Sequence, residues 1–162
     1  MKALFFSLVL TCTVFIAAAQ NAAIDKVTAS YISVKNALVA SNATLAKSRS
    51  AELVAALSAP VKVLQPAQQK LLATYLDKLK FDSRHISETT VIDHQREHFE
   101  SLSKNMYSLL SGLKLNGTTV YQQYCPMKKA AWLSESEEIR NPYYGDDMLE
   151  CGKVTATLNA IK

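Results

Sequence analysis

Glycine and proline occur only four times each in 162 residues, and no low-complexity tract or internal repeat is present. That scarcity excludes a disordered or linker-rich chain and leaves a helix-rich globular one. Charge is spread rather than clustered. The 18 basic and 14 acidic residues include no basic run, which argues against nucleic acid as a partner. Cysteine is scarcer still, at three, and no CxxC pair occurs, so no zinc signature is present.

The one long hydrophobic run is at the start. Met1-Lys2 supplies a minimal positive n-region, Ala3 to Ala18 is almost wholly apolar, and Ala17-Ala18-Ala19 offers small residues for cleavage before Gln20. Residues 1–19 are therefore read as a signal peptide and 20–162 as a single exported domain with no membrane span after cleavage. An anchor would need a longer run and a basic stop-transfer cluster. Cleavage removes Lys2, so 18 basic residues become 17 against 14 acidic ones, and the net charge falls from +4 to +3. It also removes Cys12, leaving Cys125 and Cys151 in an oxidising compartment.

Four amphipathic segments follow. Ile24, Val27, Tyr31, Val34 and Leu38 step by three and four. Asn42 suits the N-cap of a second helix reaching about Ser58, and Pro66 the first turn of a third. Asp82-Ser83 is read as the next break. A fourth and longest segment carries Ile92, Phe99, Leu102, Met106, Leu109 and Leu113, ending at Gly112 or at Asn116-Gly117. Short connections between such segments predict a mainly α fold, an up-down bundle of about four helices. Beyond Gly117, residues 118–124 and 153–158 alternate like strands. Segment 118–162 is too small to fold alone and should pack on the bundle as an irregular, short-stranded appendage carrying both cysteines.

That appendage holds the candidate chemistry. Cys125-Pro126-Met127 offers a thiolate and a thioether two residues apart, and Met148 with Cys151 lies one helical turn apart. Together they form a soft Cys2Met2 set suited to Cu(I). The same two cysteines could instead form a Cys125–Cys151 disulfide, stabilising the fold by about 3 to 3.5 kcal/mol, with both methionines as packing. His94 and His98 sit at i and i+4, about 6 Å apart at Cβ, near enough to chelate a metal if the C-terminal segment lies over them. Gln95 stands where a zinc protease of the HExxH type keeps its glutamate, and no nucleophile–base spacing stands out, so an enzyme is not expected. His85 is less informative. Trp132 and Asn141-Pro-Tyr143-Tyr144-Gly145 read as packing rather than as a binding platform. Ser134, Glu135, Glu137 and Glu138 read as a solvated acidic stretch. Asn42-Ala-Thr44 and Asn116-Gly-Thr118 match the glycosylation sequon.

The wording Tyr121-x-x-Tyr124-Cys125-Pro-Met127, Trp132-Leu-Ser134, Ile139-x-Asn141-Pro-Tyr-Tyr-Gly145 and Met148-Leu-x-Cys151-Gly-x-Val154 resembles an exported bacterial family, domain-of-unknown-function family 3347. Tyr31-Ile-Ser-Val-Lys-Asn-Ala-Leu-Val-Ala40 and His94-Gln-Arg-Glu-His-Phe99 extend the likeness upstream. The resemblance implies a periplasmic domain of a Gram-negative bacterium, alone or joined to adaptor subunits of heavy-metal efflux systems. It points to Cys125, Met127 and Cys151 as the functional residues, with His94, His98 and Met148 as additions. Only Lys128-Lys129-Ala130-Ala131 separates Cys-Pro-Met from Trp-Leu-Ser, where family members often carry a longer, glycine-containing stretch. The expected function is a copper- or heavy-metal-binding accessory, a carrier or sequestering module. The alternative is a non-catalytic interaction module, closed by a disulfide, that docks on an efflux adaptor or other envelope partner.

Overall fold

The computed structural model describes residues 22–61 and 64–161; the expected signal peptide and Cys12 lie outside them. Helix α1 covers 22–39 and buries Ile24, Val27, Tyr31, Val34 and Leu38, the residues of its sequence stripe. Helix α2 is Ala43–Ser58, and the Asn42 side chain caps it by accepting from the Leu45 amide at 2.9 Å. Helix α3 is Pro66–Glu88, with Pro66 at its first position. Helix α4 is Ile92–Leu113. Together they make the four-helix bundle expected from the apolar periodicity.

The break expected at Asp82-Ser83 is absent, because α3 runs straight through it and ends six residues later. The Asp82 side chain and the Ser83 backbone are both used inside the bundle. Asp82 accepts from His98 and Ser101 of α4, and the Ser83 carbonyl accepts from Ser50 of α2 at 2.7 Å. The bonds to Asp82 satisfy a carboxylate that would otherwise favour a turn. Helix α3, at 23 residues, is accordingly one residue longer than α4, and His85 belongs to α3. Helix α4 stops at Leu113 with Lys114 in the left-handed conformation (φ 51°), a role filled elsewhere by glycine.

The appendage is a three-stranded antiparallel sheet in the order β2-β1-β3: β1 Val120–Cys125, β2 Ala130–Ser134 and β3 Lys153–Leu158. The middle strand pairs Cys125 with Ala130 and Tyr121 with Ser134 on one side. On the other it pairs Val120 with Leu158 and Tyr124 with Lys153, through an irregularity at Gln122/Gln123. Strand β2 packs on α4. No helix among the described residues is long and apolar enough to cross a membrane.

One core joins bundle and sheet. The Tyr31 ring stacks on Phe99 at 5.2 Å, and Tyr143 approaches both Phe99 (5.9 Å) and Trp132 (6.0 Å). The Tyr31 hydroxyl accepts from the Leu133 amide at 3.0 Å and meets the Ser103 hydroxyl at 2.7 Å. Trp132 is fully buried, so it is packing, as its sequence context suggested. Asn116 is also buried, donating to the Thr118, Leu158 and Asn159 carbonyls, which leaves its amide unavailable as a glycosylation acceptor.

Candidate functional site: a thiol pair clasped by the Asn-Pro-Tyr-Tyr-Gly turn

The motifs that lie apart in sequence meet around Cys125 and Cys151. Cys125 ends β1, and the chain reverses there in a tight turn in which the Lys129 amide donates to the Cys125 carbonyl at 2.8 Å. Cys151 follows the 3-10 turn Gly145–Met148, its amide bonded to the Met148 carbonyl at 3.1 Å. The two sulfurs stand 2.8 Å apart; Cys125 is buried and Cys151 partly exposed.

What brings them together is the Asn-Pro-Tyr-Tyr-Gly turn. Asn141, fully buried, donates from its side chain to the Cys151 carbonyl at 3.0 Å and accepts from the Tyr143 amide at 2.9 Å. Its own amide donates to the Leu149 carbonyl. The Tyr143 hydroxyl donates to the Ala131 carbonyl of β2 at 2.6 Å. Arg96 of α4 fastens this turn to the bundle, reaching the Pro142 carbonyl at 3.0 Å and the Ser41 hydroxyl at 3.0 Å. Gly145, at φ 56°, packs against Ser41 and Arg96 so closely that a Cβ would collide with the Ser41 hydroxyl. Gly152 does the same beneath Trp132, where a Cβ would lie 2.8 Å from the indole ring.

The two thiols are chemically unequal. Burial acts to raise the Cys125 thiol. Hydrogen bonds from the Cys151 side chain, from the Lys128 and Met127 amides and from Asn141 outweigh it and hold the thiol below its ordinary value. The Cys151 thiol is raised, first by its hydrogen bond to Cys125 and then by burial and the neighbouring charge. The arrangement therefore eases deprotonation of Cys125 and hinders that of Cys151 beside it.

Met127 and Met148, the expected thioethers, are both exposed rather than packed into the core, at 65% and 39%. They flank the cysteines in sequence. His94 and His98 are placed elsewhere. The appendage meets α4 through Arg96, Phe99 and Glu100, the last paired with Lys128 at 3.6 Å. At about 100° per residue, His98 lies roughly opposite that face, and its Nδ1 is 3.1 Å from Asp82 of α3. Among the described residues, no three His, Cys, Asp or Glu side chains already stand as a metal-holding group.

Three buried amide or lysine side chains carry structural work that the sequence alone does not reveal. Gln95 is fully buried and donates to the carbonyls of Ala43, Ile86 and Thr89, joining the start of α2 to the end of α3. Gln123, equally buried, donates to the Ser136 and Glu138 carbonyls and fixes the loop after β2. Lys35, only 3% exposed, pairs with Glu135 at 3.1 Å, so the acidic stretch is partly a counter-ion and not wholly solvated.

The model of the family described as "Protein of unknown function (DUF3347)" matches residues 27–118, more than half of the chain. The chain belongs to that family. The matched span is the helical bundle and stops just before β1, so the thiol pair and its clasp lie outside it. No curated protein and no solved structure matches the chain.

Proposed function

We propose that this family member is an exported accessory protein that carries or sequesters a soft metal ion, Cu(I) before others, on Cys125 and Cys151. The observation that carries this reading is the apposition of the two sulfurs, with the buried one held toward its thiolate by backbone amides. Soft thiolate and thioether ligands select Cu(I), and the exposed Met127 and Met148 lie two and three residues from the cysteines in sequence. Two sulfurs sharing a tetrahedral ion at about 2.3 Å sit roughly 3.8 Å apart. Loading therefore swings the Cys151 side chain outward by about 1 Å, from a partly exposed position. A periplasmic location and an efflux adaptor as recipient complete the proposal; the expected signal peptide and the resemblance of the motifs support both.

A second reading has its own observation. Sulfurs 2.8 Å apart in an oxidising compartment suit closure of a disulfide, with the chain then acting as a docking module. Competition of the reduced chain against a chromophoric Cu(I) chelator separates the two. One Cu(I) per chain, lost in Cys125→Ser/Cys151→Ser, supports the carrier; equal affinity in both proteins overturns it. An intact mass two units below the reduced value in protein from the periplasm, with no metal adduct, supports the clasp instead.

A further inference from the structure

All three histidines of the chain stand together on the α3–α4 surface, away from the thiol pair. His85 of α3 stacks on His98 of α4 with ring centroids 4.5 Å apart, and His94 meets His98 edge-on at 4.8 Å. The Nδ1 of two rings bonds an oxygen that can only accept: for His85 the Phe81 carbonyl at 3.0 Å, and for His98 the Asp82 carboxylate at 3.1 Å. The His94 Nδ1 lies 3.4 Å from the Glu97 carboxylate, an ion-pair contact. Such an oxygen requires the proton on Nδ1, so a neutral ring keeps its lone pair on Nε2. Carboxylates and carbonyls orient metal-ligating imidazoles in this way. Asp82 is itself buried and takes a second hydrogen bond from Ser101, which fixes the carboxylate that fixes His98.

We propose that His94 and His98, closed by His85, form a second metal site for a borderline divalent cation such as Cu(II), Ni(II) or Zn(II). Imidazole nitrogens suit these ions, and bonds of about 2.0–2.1 Å bring ligand nitrogens to roughly 3.3 Å of one another. The rings do not yet converge on one point. With centroids under 5 Å apart, rotation about side-chain torsions brings Nε2 atoms together without moving either helix. His94 is half exposed, so an ion enters from solvent. The site is independent of the thiol pair and holds whichever reading of that pair is right.

The test uses untagged Cys125→Ser/Cys151→Ser chain, so that thiols do not compete, titrated with Cu(II) and read by electron paramagnetic resonance. One ion per chain showing coupling to two or three nitrogens is expected. His94→Ala should weaken binding at least about tenfold while its circular dichroism stays that of the parent. His85→Ala should remove one nitrogen from the coupling pattern. No nitrogen coupling, or an affinity unchanged by His94→Ala, overturns the site. Should the double variant not fold, substoichiometric Ni(II) added to wild-type chain with its thiols blocked gives a second measurement. Selective broadening of the three imidazole proton resonances supports the proposal; uniform or absent broadening rejects it.

Discussion

Asn141 donates its side-chain amide to the carbonyl of Cys151 at 3.0 Å, and this bond seats the second cysteine against the first. Because Asn141 is fully buried and also accepts from the Tyr143 amide, Asn141→Ala orphans a donor and an acceptor together. Each orphan costs about 1–3 kcal/mol, so a loss of roughly 2–6 kcal/mol is expected in urea unfolding. The same variant should oxidise its thiols to a disulfide several-fold more slowly per unit of oxidant, because the sulfurs are no longer held in register.

Gln95 occupies the place that a glutamate would take in a zinc-protease motif, and its surroundings show why a carboxylate does not suit it. The side chain faces the carbonyls of Ala43, Ile86 and Thr89, all acceptors, and only an amide nitrogen can serve them. Gln95→Glu would bury a charge against three like-facing dipoles, costing about 3–5 kcal/mol at neutral pH. Burial raises such a carboxyl, so its penalty falls as pH drops and protonation restores a donor. Thermal melts of Gln95→Glu and the parent between pH 4 and 8 should converge toward the acid end; parallel curves would rule out this account.

The helices were legible because their signal is periodic and local. Ile24, Val27, Tyr31, Val34 and Leu38 are all buried, and Asn42 caps α2 where its side chain suggested. Asp82-Ser83 misled because a polar pair reads as a break until α4 and α2 arrive to bond it. Strand β2 was not separately identified, since Ala130-Ala131-Trp132-Leu133 carries no alternation; four of its five residues are buried. The nearness of Cys125 and Cys151 could not be read from a 26-residue separation. Nor could the side of α4 on which the appendage lies. That choice is made by Arg96 reaching Pro142 and by Phe99 meeting Tyr143, contacts between residues over forty positions apart.

Lys35 and Glu135 form a one-sided ion pair, the cation 3% exposed and the anion 53%. Burial depresses Lys35 below its ordinary value of 10.5 against the pull of Glu135. Burial acts to raise Glu135, but its own amide and Lys35 outweigh it and hold it below its ordinary value of 4.5. The signs differ in consequence. A depressed lysine makes stability rise with pH in the alkaline window just below 10.5, where the folded chain has shed a proton that the unfolded chain keeps. A depressed carboxylate contributes stability that is present above 4.5 and lost as pH falls through its folded value. Lys35→Met should abolish the alkaline rise, shrink the acid loss and leave neutral stability equal or higher. Glu135→Ala should cost about 1–2 kcal/mol, discounted for the exposure of the carboxylate. Urea midpoints from pH 3 to 10 check all four.

The thiol pair makes the last prediction. With Cys125 held below and Cys151 above the ordinary thiol value, the reduced chain should lose its two thiol protons in separate steps. Ultraviolet thiolate absorbance would show one step on each side of the unfolded chain's single transition. Cys151→Ala removes the nearest hydrogen-bond donor to Cys125, so the remaining step should move upward; a step that stays in place would show that the backbone amides alone set it. The linkage follows the same signs. Cys125 adds stability that is complete above the unfolded thiol value and lost as pH falls through its folded value. Cys151 adds stability that is complete below the unfolded value and lost as pH rises through its own. The difference in stability between the reduced parent and Cys125→Ala should therefore grow as pH approaches the ordinary thiol value from below, and urea unfolding under reductant measures it directly.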